Sequence, residues 1–342
     1  MSSQRVYCTY FDSAYLARGI VMLRSLCAHD PSARIFVVAI DDLTARVLRA
    51  RFGPRIRVIG TAPLLTAVPG LRDARADRTP WAYYSTQKPV VAQFAMESHL
   101  RPASVVYVDA DTWFFSDPAP LFTEIGSASV AISPHRFSSG LQHLEAYGRY
   151  NAGFIYWRHD EAGRRCLSDW RDDCLEWCAE QPQPDGRFMN QGYLNHWPER
   201  YSAVHLIRHR GVNLAPWNVD AHRLDRDASG VTVDGAPLVF YHFHGLERHA
   251  DGRWSSKFPH LETQLEIARE AIYLPYLAAV EAERLSLLGD FGVEGTGCVR
   301  PPWDVPPTLE FDPATAPPPS TSPETAVPSS YRSPAPRSSR RD

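Results

Sequence analysis

The sequence predicts an α/β protein, a single mostly parallel central sheet flanked by helices and closed by a C-terminal helical segment. Three observations lead there. Between residues 5 and 59, short and almost wholly apolar strand-like runs alternate with stretches of helical spacing in a βαβαβ order, the pattern of buried parallel strands covered on both faces. A Val-rich run, Val105-Val106-Tyr107-Val108, ends abruptly in Asp109-Ala110-Asp111, as a buried strand does on reaching the sheet edge. The chain of 342 residues is 44% hydrophobic and 22% charged, ordinary for a globular protein able to bury a sizeable core.

The elements follow in order. Arg5 to Tyr10 reads as the first strand. Tyr15 to Ala28 has helical spacing, with Leu16, Ile20, Leu23 and Cys27 on one stripe and Asp12 or Ser13 as its cap. Arg34 to Ile40 is a second strand, Asp42 to Phe52 a helix stopped by Gly53-Pro54, and Arg55 to Ile59 a third strand. No Gly-x-Gly-x-x-Gly is present, against a dinucleotide-binding domain. Thr61 to Thr79 reads as loop. Trp81 to His99 reads as a helix with Pro89 in its first turns, where proline is tolerated. Further strands are expected at Val105 to Asp109, Ala128 to Ile132, Phe154 to Trp157, Val204 to Ile207 and Leu238 to Phe243. Helices are expected at Asp160 to Glu180, at Phe188 to His196 and, interrupted at Pro275, at Phe258 to Leu288; His135 to Tyr150 reads as a site-facing loop. The expected organisation is a catalytic unit over 1–293, divided near 115/116 into a nucleotide-binding half and an acceptor and metal half. Residues 294–342, rich in Pro and Ser, read as a disordered tail.

Charge and cysteine usage narrow the function. A formal net charge of −3 supplies no basic field for nucleic acid. Six cysteines without a Cys-x-x-Cys read as reduced thiols rather than a zinc site. No run has the length and apolarity of a membrane span, so a cytoplasmic protein is expected.

Asp109 and Asp111 leave their strand on one side, because strand side chains alternate. Two carboxylates held that close repel unless a cation sits between them, and hard oxygen donors suit Mn²⁺ or Mg²⁺; a solvated acidic turn is the bland alternative. Tyr241-His242-Phe243-His244-Gly245 puts two imidazoles on one side of a strand end before a glycine turn. Asn151-Ala152-Gly153 offers an amide and open backbone to sugar hydroxyls, Asn190-Gln191-Gly192-Tyr193 offers amides beside aromatics, and Lys88, in a chain whose cations are nearly all Arg, suits a phosphate.

Taken in order, these motifs resemble a GT-A-fold glycosyltransferase of the family 8 type, the nucleotide-diphospho-sugar transferases that include glycogenin and galactosyltransferases. The matching residues are Cys8-Thr9-Tyr10-Phe11-Asp12, Lys88-Pro89, Tyr107 to Asp111, Asn151 to Phe154, Asn190 to Asn195 and His242 to Gly245. The resemblance implies Mn²⁺ (or Mg²⁺) held by Asp109, Asp111 and His242. It implies donor contacts from Thr9, Tyr10, Asp12, Lys88, Ala110, Asn151, Gly153, His244 and Gly245, and catalytic roles for Asn190, Gln191 and Lys88. The reaction implied is transfer of a sugar from a nucleotide sugar, with a UDP-sugar expected, to a carbohydrate, lipid-linked or protein acceptor, with retention. There are two departures. Asn190 stands where the family commonly has Asp, and the family's Lys-Pro-Trp after the His-Gly motif is replaced by Leu246-Glu247-Arg248, so Arg248 or Lys257 is expected to supply that charge. Two competing readings are a haloacid-dehalogenase-type phosphatase, with Asp109 as nucleophile aided by Lys257 and Gly289-Asp290, and a nucleotide-sugar-binding protein without turnover.

Overall fold

A computed structural model describes residues 5–98, 102–249, 252, 254–256, 265–293 and 309–311. Lys257, the start of the helix expected from Phe258, and the tail apart from Leu309–Phe311 lie outside the described residues.

The opening alternation is present as β1 (Arg5–Phe11), α1 (Leu16–His29), β2 (Arg34–Ala39), α2 (Asp42–Arg51) and β3 (Ile56–Gly60). Asp41 caps α2, accepting from the Thr44 N–H at 2.7 Å. Residues 61–79, expected as loop, instead form α3 (Ala62–Ala67) and α4 (Gly70–Asp77). The prolines that suggested a loop stand at the helix starts, where a missing N–H is harmless, and Leu64, Leu71 and Ala74 are buried. Helix α5 runs Pro80–Met96, begun by the Thr79 hydroxyl accepting from the Ala82 N–H at 3.2 Å. Pro89, nine residues past that start, lies in the helix interior rather than in its first turns.

β4 (Ser104–Val108), β5 (Thr112–Phe114), α6 (Ala119–Ile125), β6 (Val130–Pro134), β7 (Tyr150–Arg158), α7 (Glu161–Glu176), α8 (Trp197–Arg200) and β8 (Val204–Leu206) follow. The expected loop between β6 and β7 holds a 3-10 segment, Ser139–Tyr147. Beyond β8 come β9 (Leu224–Asp227), β10 (Gly230–Val233), β11 (Ala236–Pro237), β12 (Phe240–His242), β13 (Leu246–Arg248), β14 (Trp254–Ser256), α9 (Leu265–Ile267), α10 (Leu274–Phe291) and β15 (Leu309–Phe311). Several of these strands are only two to four residues long, too short to carry a legible alternation. Pro275 does not interrupt the C-terminal helix. It sits in the first turn of α10, after a π-helical segment, Ala268–Tyr273, whose wider turns absorb the proline ring.

The main sheet has the order β3-β2-β1-β4-β7-β6-β8, parallel except where β7 enters antiparallel between β4 and β6. Strand alternation divides the core. Tyr7, Ile35, Val37, Val106 and Val108 pack on one face with Leu16, Ile20 and Leu23 of α1. Val6, Cys8, Phe36, Val105 and Tyr107 pack on the other with Val90 and Val91 of α5 and Trp170 of α7. No described helix is long and apolar enough to cross a membrane. Cys8, Cys27, Cys166, Cys174 and Cys178 are free thiols.

Candidate active site

The strand order reverses direction between β1 and β4, since β2 and β3 extend to one side and β7, β6 and β8 to the other. In open α/β sheets the crevice beyond the carboxyl ends at such a switch point is where ligands bind. Thr9, Tyr10 and Asp12 stand at the end of β1, and Asp109 and Asp111 follow β4 directly. Because β7 is antiparallel to β4, its first residues lie at the same edge: the Asp109 N–H donates to the Gly153 carbonyl at 2.9 Å.

His242 arrives from far along the chain through the β5–β12 pairing, which sets His242 opposite Thr112. The His242 N–H donates to the Leu214 carbonyl and the Phe243 N–H to the Asp111 carbonyl, both at 2.8 Å. Its Nε2 consequently lies 3.1 Å from Asp111 Oδ1 and 3.9 Å from Asp109 Oδ2. Asp109 and Asp111 thus each face the His242 ring, but Asp109 is not in the tightest group of potential ligands among the described residues. Asp111, His242 and His244 present ligand atoms all within 4.8 Å of one another, so His244, expected to touch the donor, stands among the potential metal ligands.

The electrostatics are those of a tightly held acid–imidazole pair. Burial alone would raise the Asp111 carboxyl, but the facing His242 and its hydrogen bond outweigh it and hold Asp111 well below the usual carboxylate range. Burial likewise pulls on His242 in the downward direction, and Asp111 outweighs it, leaving the imidazole raised. Asp109 is held differently. Its Oδ1 accepts from Lys88 Nζ at 2.8 Å and from the Tyr107 hydroxyl at 2.7 Å, leaving Oδ2 toward His242. Lys88 also donates to the Ala152 carbonyl at 3.1 Å, and its ammonium sits 4.6 Å from the Tyr107 ring centroid.

Gly153 shows how tightly the pocket is drawn. A Cβ placed there would meet Asn151 Oδ1 at 2.6 Å, His242 Cε1 at 2.7 Å and Asp109 Oδ2 at 2.8 Å. The glycine is required by close approach and leaves a small cradle between the carboxylate, the imidazole and the amide. Asn151 Oδ1 accepts from the Gly153 N–H at 2.9 Å, and its Nδ2 lies 3.3 Å from His135 Nε2. Burial lowers the His135 pKa to about 3, so that ring is neutral. Gln191 Oε1 accepts from the Ala152 N–H at 3.1 Å and its Nε2 donates to the Tyr147 carbonyl at 3.0 Å. Its amide is therefore beside the β7 end of the pocket.

Asn190 has a structural engagement the motif does not reveal. Pro89 has no N–H to offer the carbonyl four residues back, Ser85. The Asn190 Nδ2 donates to that Ser85 carbonyl at 2.8 Å, its N–H to the Ser85 hydroxyl at 3.1 Å, and its carbonyl accepts from Trp170 Nε1 at 2.8 Å. At the β1 end, Thr9 is buried without a hydrogen-bond partner for its hydroxyl, the Tyr10 hydroxyl donates to the Tyr84 carbonyl at 2.6 Å, and the Tyr84 hydroxyl donates to Asp12. Ala110 is buried between the two acids, and Gly245 takes φ 72° in the turn after His244.

Two residues were missed. Tyr107 is two residues before Asp109 on one strand face, a signal that alternation could have exposed. Trp217 packs edge-on against His242 and His244, with centroids 5.2 and 5.7 Å away; nothing local in its sequence marks it. Arg248, expected to supply a charge to the site, is held by Glu281 at 2.5 Å. Asp290, needed by the phosphatase reading, pairs with Arg51 at 2.6 Å near the exposed end of α10.

The sequence profile of the nucleotide-diphospho-sugar transferases matches residues 32–197, which include Lys88, the acid pair and Gln191. The uncharacterized protein YfnF of Bacillus subtilis (strain 168) is 34% identical over 247 residues, 70% of this chain and 80% of YfnF. YfnD of the same organism, also uncharacterized, is 26% identical over 273 residues, 79% of this chain and 87% of YfnD. Among solved structures, the galactosyltransferase LgtC with donor and acceptor sugar analogs superposes with a TM-score of 0.52 at 15% identity, covering 81% of this chain and 95% of LgtC. At that identity the likeness speaks for the fold.

Proposed function

The chain belongs to the nucleotide-diphospho-sugar transferase family and is a glycosyltransferase of GT-A type, and from that premise we propose that it transfers a sugar from a UDP-sugar in a reaction that requires Mn²⁺ or Mg²⁺ and retains the anomeric configuration. The observation that carries the metal dependence is the convergence of Asp111, His242 and His244 within 4.8 Å, with Asp109 Oδ2 3.9 Å from the same imidazole. Carboxylate oxygens and imidazole nitrogens form a donor set suited to Mn²⁺, and a side chain at position 153 would intrude on His242 and Asp109. When bound, the cation supplies Lewis-acid neutralisation of the departing diphosphate.

This chain's own residues do the rest of the positioning. Lys88, fixed by Asp109 and the Ala152 carbonyl, contributes positive charge at the pocket wall. Tyr107 and Lys88 hold Asp109 in one orientation, so its second oxygen is presented to the site without a rotamer search. Asn151 and Gln191 form an amide wall at the β7 end, able to accept from and donate to sugar hydroxyls. Asn190 has no carboxylate to act as nucleophile or base, and its Nδ2 is engaged by Ser85, so the reading contains no covalent sugar intermediate at that position. The free thiols among the described residues accord with a cytoplasmic enzyme.

The deciding experiment incubates the protein with a panel of nucleotide sugars with and without Mn²⁺ and follows release of free nucleoside diphosphate. Release from a UDP-sugar that needs the metal is expected, and Asp111→Ala should lower it by at least about a hundredfold. Near-wild-type turnover in Asp111→Ala, or equal turnover in chelator, defeats the proposed metal role.

A further inference from the structure

Arg18 of α1 is 7% exposed. Among the described residues it has no carboxylate within ion-pair distance. Its one hydrogen bond runs from Nη2 to the Leu246 carbonyl at 2.8 Å, and the guanidinium lies over the rings of Tyr15, at 5.1 Å, and Trp254, at 5.3 Å. By contrast, two other strongly buried charges among the described residues have ionic partners: Asp30 has Arg5, and Glu283 has Arg24 and Arg51. The Arg18 Nε and Nη1 carry no hydrogen bond among the described residues and neither is sealed off from solvent, so they are open to an anionic ligand.

Its place says which anion. Leu246 follows the His242-Phe243-His244-Gly245 turn, and the other end of that turn is tied to the Asp111 carbonyl through the Phe243 N–H at 2.8 Å. Arg18 thus grips the far end of the segment that brings both histidines to the acid pair. The positive charge expected three residues after Gly245, at Arg248, is instead consumed by Glu281, which also accepts from Trp254 Nε1 at 2.9 Å. A planar fork stacked between aromatic faces is the arrangement suited to bidentate phosphate recognition.

We propose that Arg18 is a phosphate-binding residue that engages the diphosphate of the nucleotide-sugar donor, in place of Arg248, which Glu281 holds. This rests on the nucleotide-sugar reading of the site.

The test is calorimetric binding, without turnover, of UDP, GDP, ADP, CDP and dTDP and of the matching monophosphates, each with Mn²⁺, to the wild-type protein, Arg18→Met and Arg18→Lys. The tightest-binding diphosphate should weaken about ten- to a hundredfold in Arg18→Met. Its monophosphate should change by less than about threefold, and Arg18→Lys should recover part of the loss. Diphosphate and monophosphate weakened equally, or a diphosphate affinity unchanged in Arg18→Met, overturns the assignment; a lower melting temperature with equal losses identifies Arg18 as only a clamp on Leu246. If the wild-type protein binds none of the diphosphates, the donor reading itself fails, an outcome distinct from one in which wild type binds and Arg18→Met binds equally well.

Discussion

At position 153 a single hydrogen atom keeps three polar groups apart. A methyl there would lie within 2.8 Å of Asn151 Oδ1, His242 Cε1 and Asp109 Oδ2, and each of those groups is buried or held by a hydrogen bond. The collision therefore falls on the site rather than on the core. Gly153→Ala is expected to lower Mn²⁺ affinity at least about tenfold, in the range seen when the surroundings of metal ligands are disturbed, while the far-UV spectrum stays that of wild type. Titration of Mn²⁺ by electron paramagnetic resonance checks this, and an unchanged affinity would mean the cation sits elsewhere. At this scale the residue types were legible: the acids and histidines stand out by alternation at strand ends, and Gly153 within the Asn151-Ala152-Gly153 motif. The roles of Asn190 and Arg248 were not, because a partner such as the Ser85 carbonyl or Glu281 carries no local sequence signal.

Helix α5 contains its own defect and its own repair. Pro89 leaves the Ser85 carbonyl without a helical donor, and the Asn190 amide supplies one from another part of the chain. Asn190→Ala removes that donor and should destabilise the fold by about 1–3 kcal/mol, the range for leaving a buried acceptor unpaired. In a Pro89→Ala background the restored N–H takes over, so the same substitution should cost markedly less, and the two changes should be non-additive by about 0.5–3 kcal/mol. Urea unfolding of the four proteins measures the coupling; strict additivity would sever the link between the proline and the amide. Elements were legible where they were long: α1, α2, α5 and α7 follow from apolar spacing. The short strands β5 and β12 were not seen as a pair, since neither carries an alternation and their union spans more than a hundred residues. Residues 61–79 were misread because proline marks helix starts as well as loops.

For the whole molecule, the site joins segments from β1, α5, β4, β7 and β12, so occupying it should tighten the entire fold. A ligand at a hundred times its dissociation constant stabilises by about 2.7 kcal/mol. For a chain of this size that corresponds to a rise of roughly 4 °C in Tm. Mn²⁺ with UDP should produce that rise by scanning calorimetry, Mn²⁺ alone a smaller one, and Asp111→Ala none. A wild-type Tm indifferent to the pair would separate the cluster from nucleotide binding.

The sequence by itself determined the fold class, through apolar runs that only a sheet covered on both faces can bury, and it determined the chemical inventory of the site. Local periodicity reports which way a side chain faces within its own element, and that is enough to set Asp109 beside Asp111. What only the tertiary structure decided is which inventory members meet. The entry of β7 antiparallel to β4 brings Gly153 to the acids, the β5–β12 ladder brings His242 within 3.1 Å of Asp111, and Glu281 claims Arg248. Contacts of that kind depend on strand order and register across distant segments, which no window of neighbouring residues encodes.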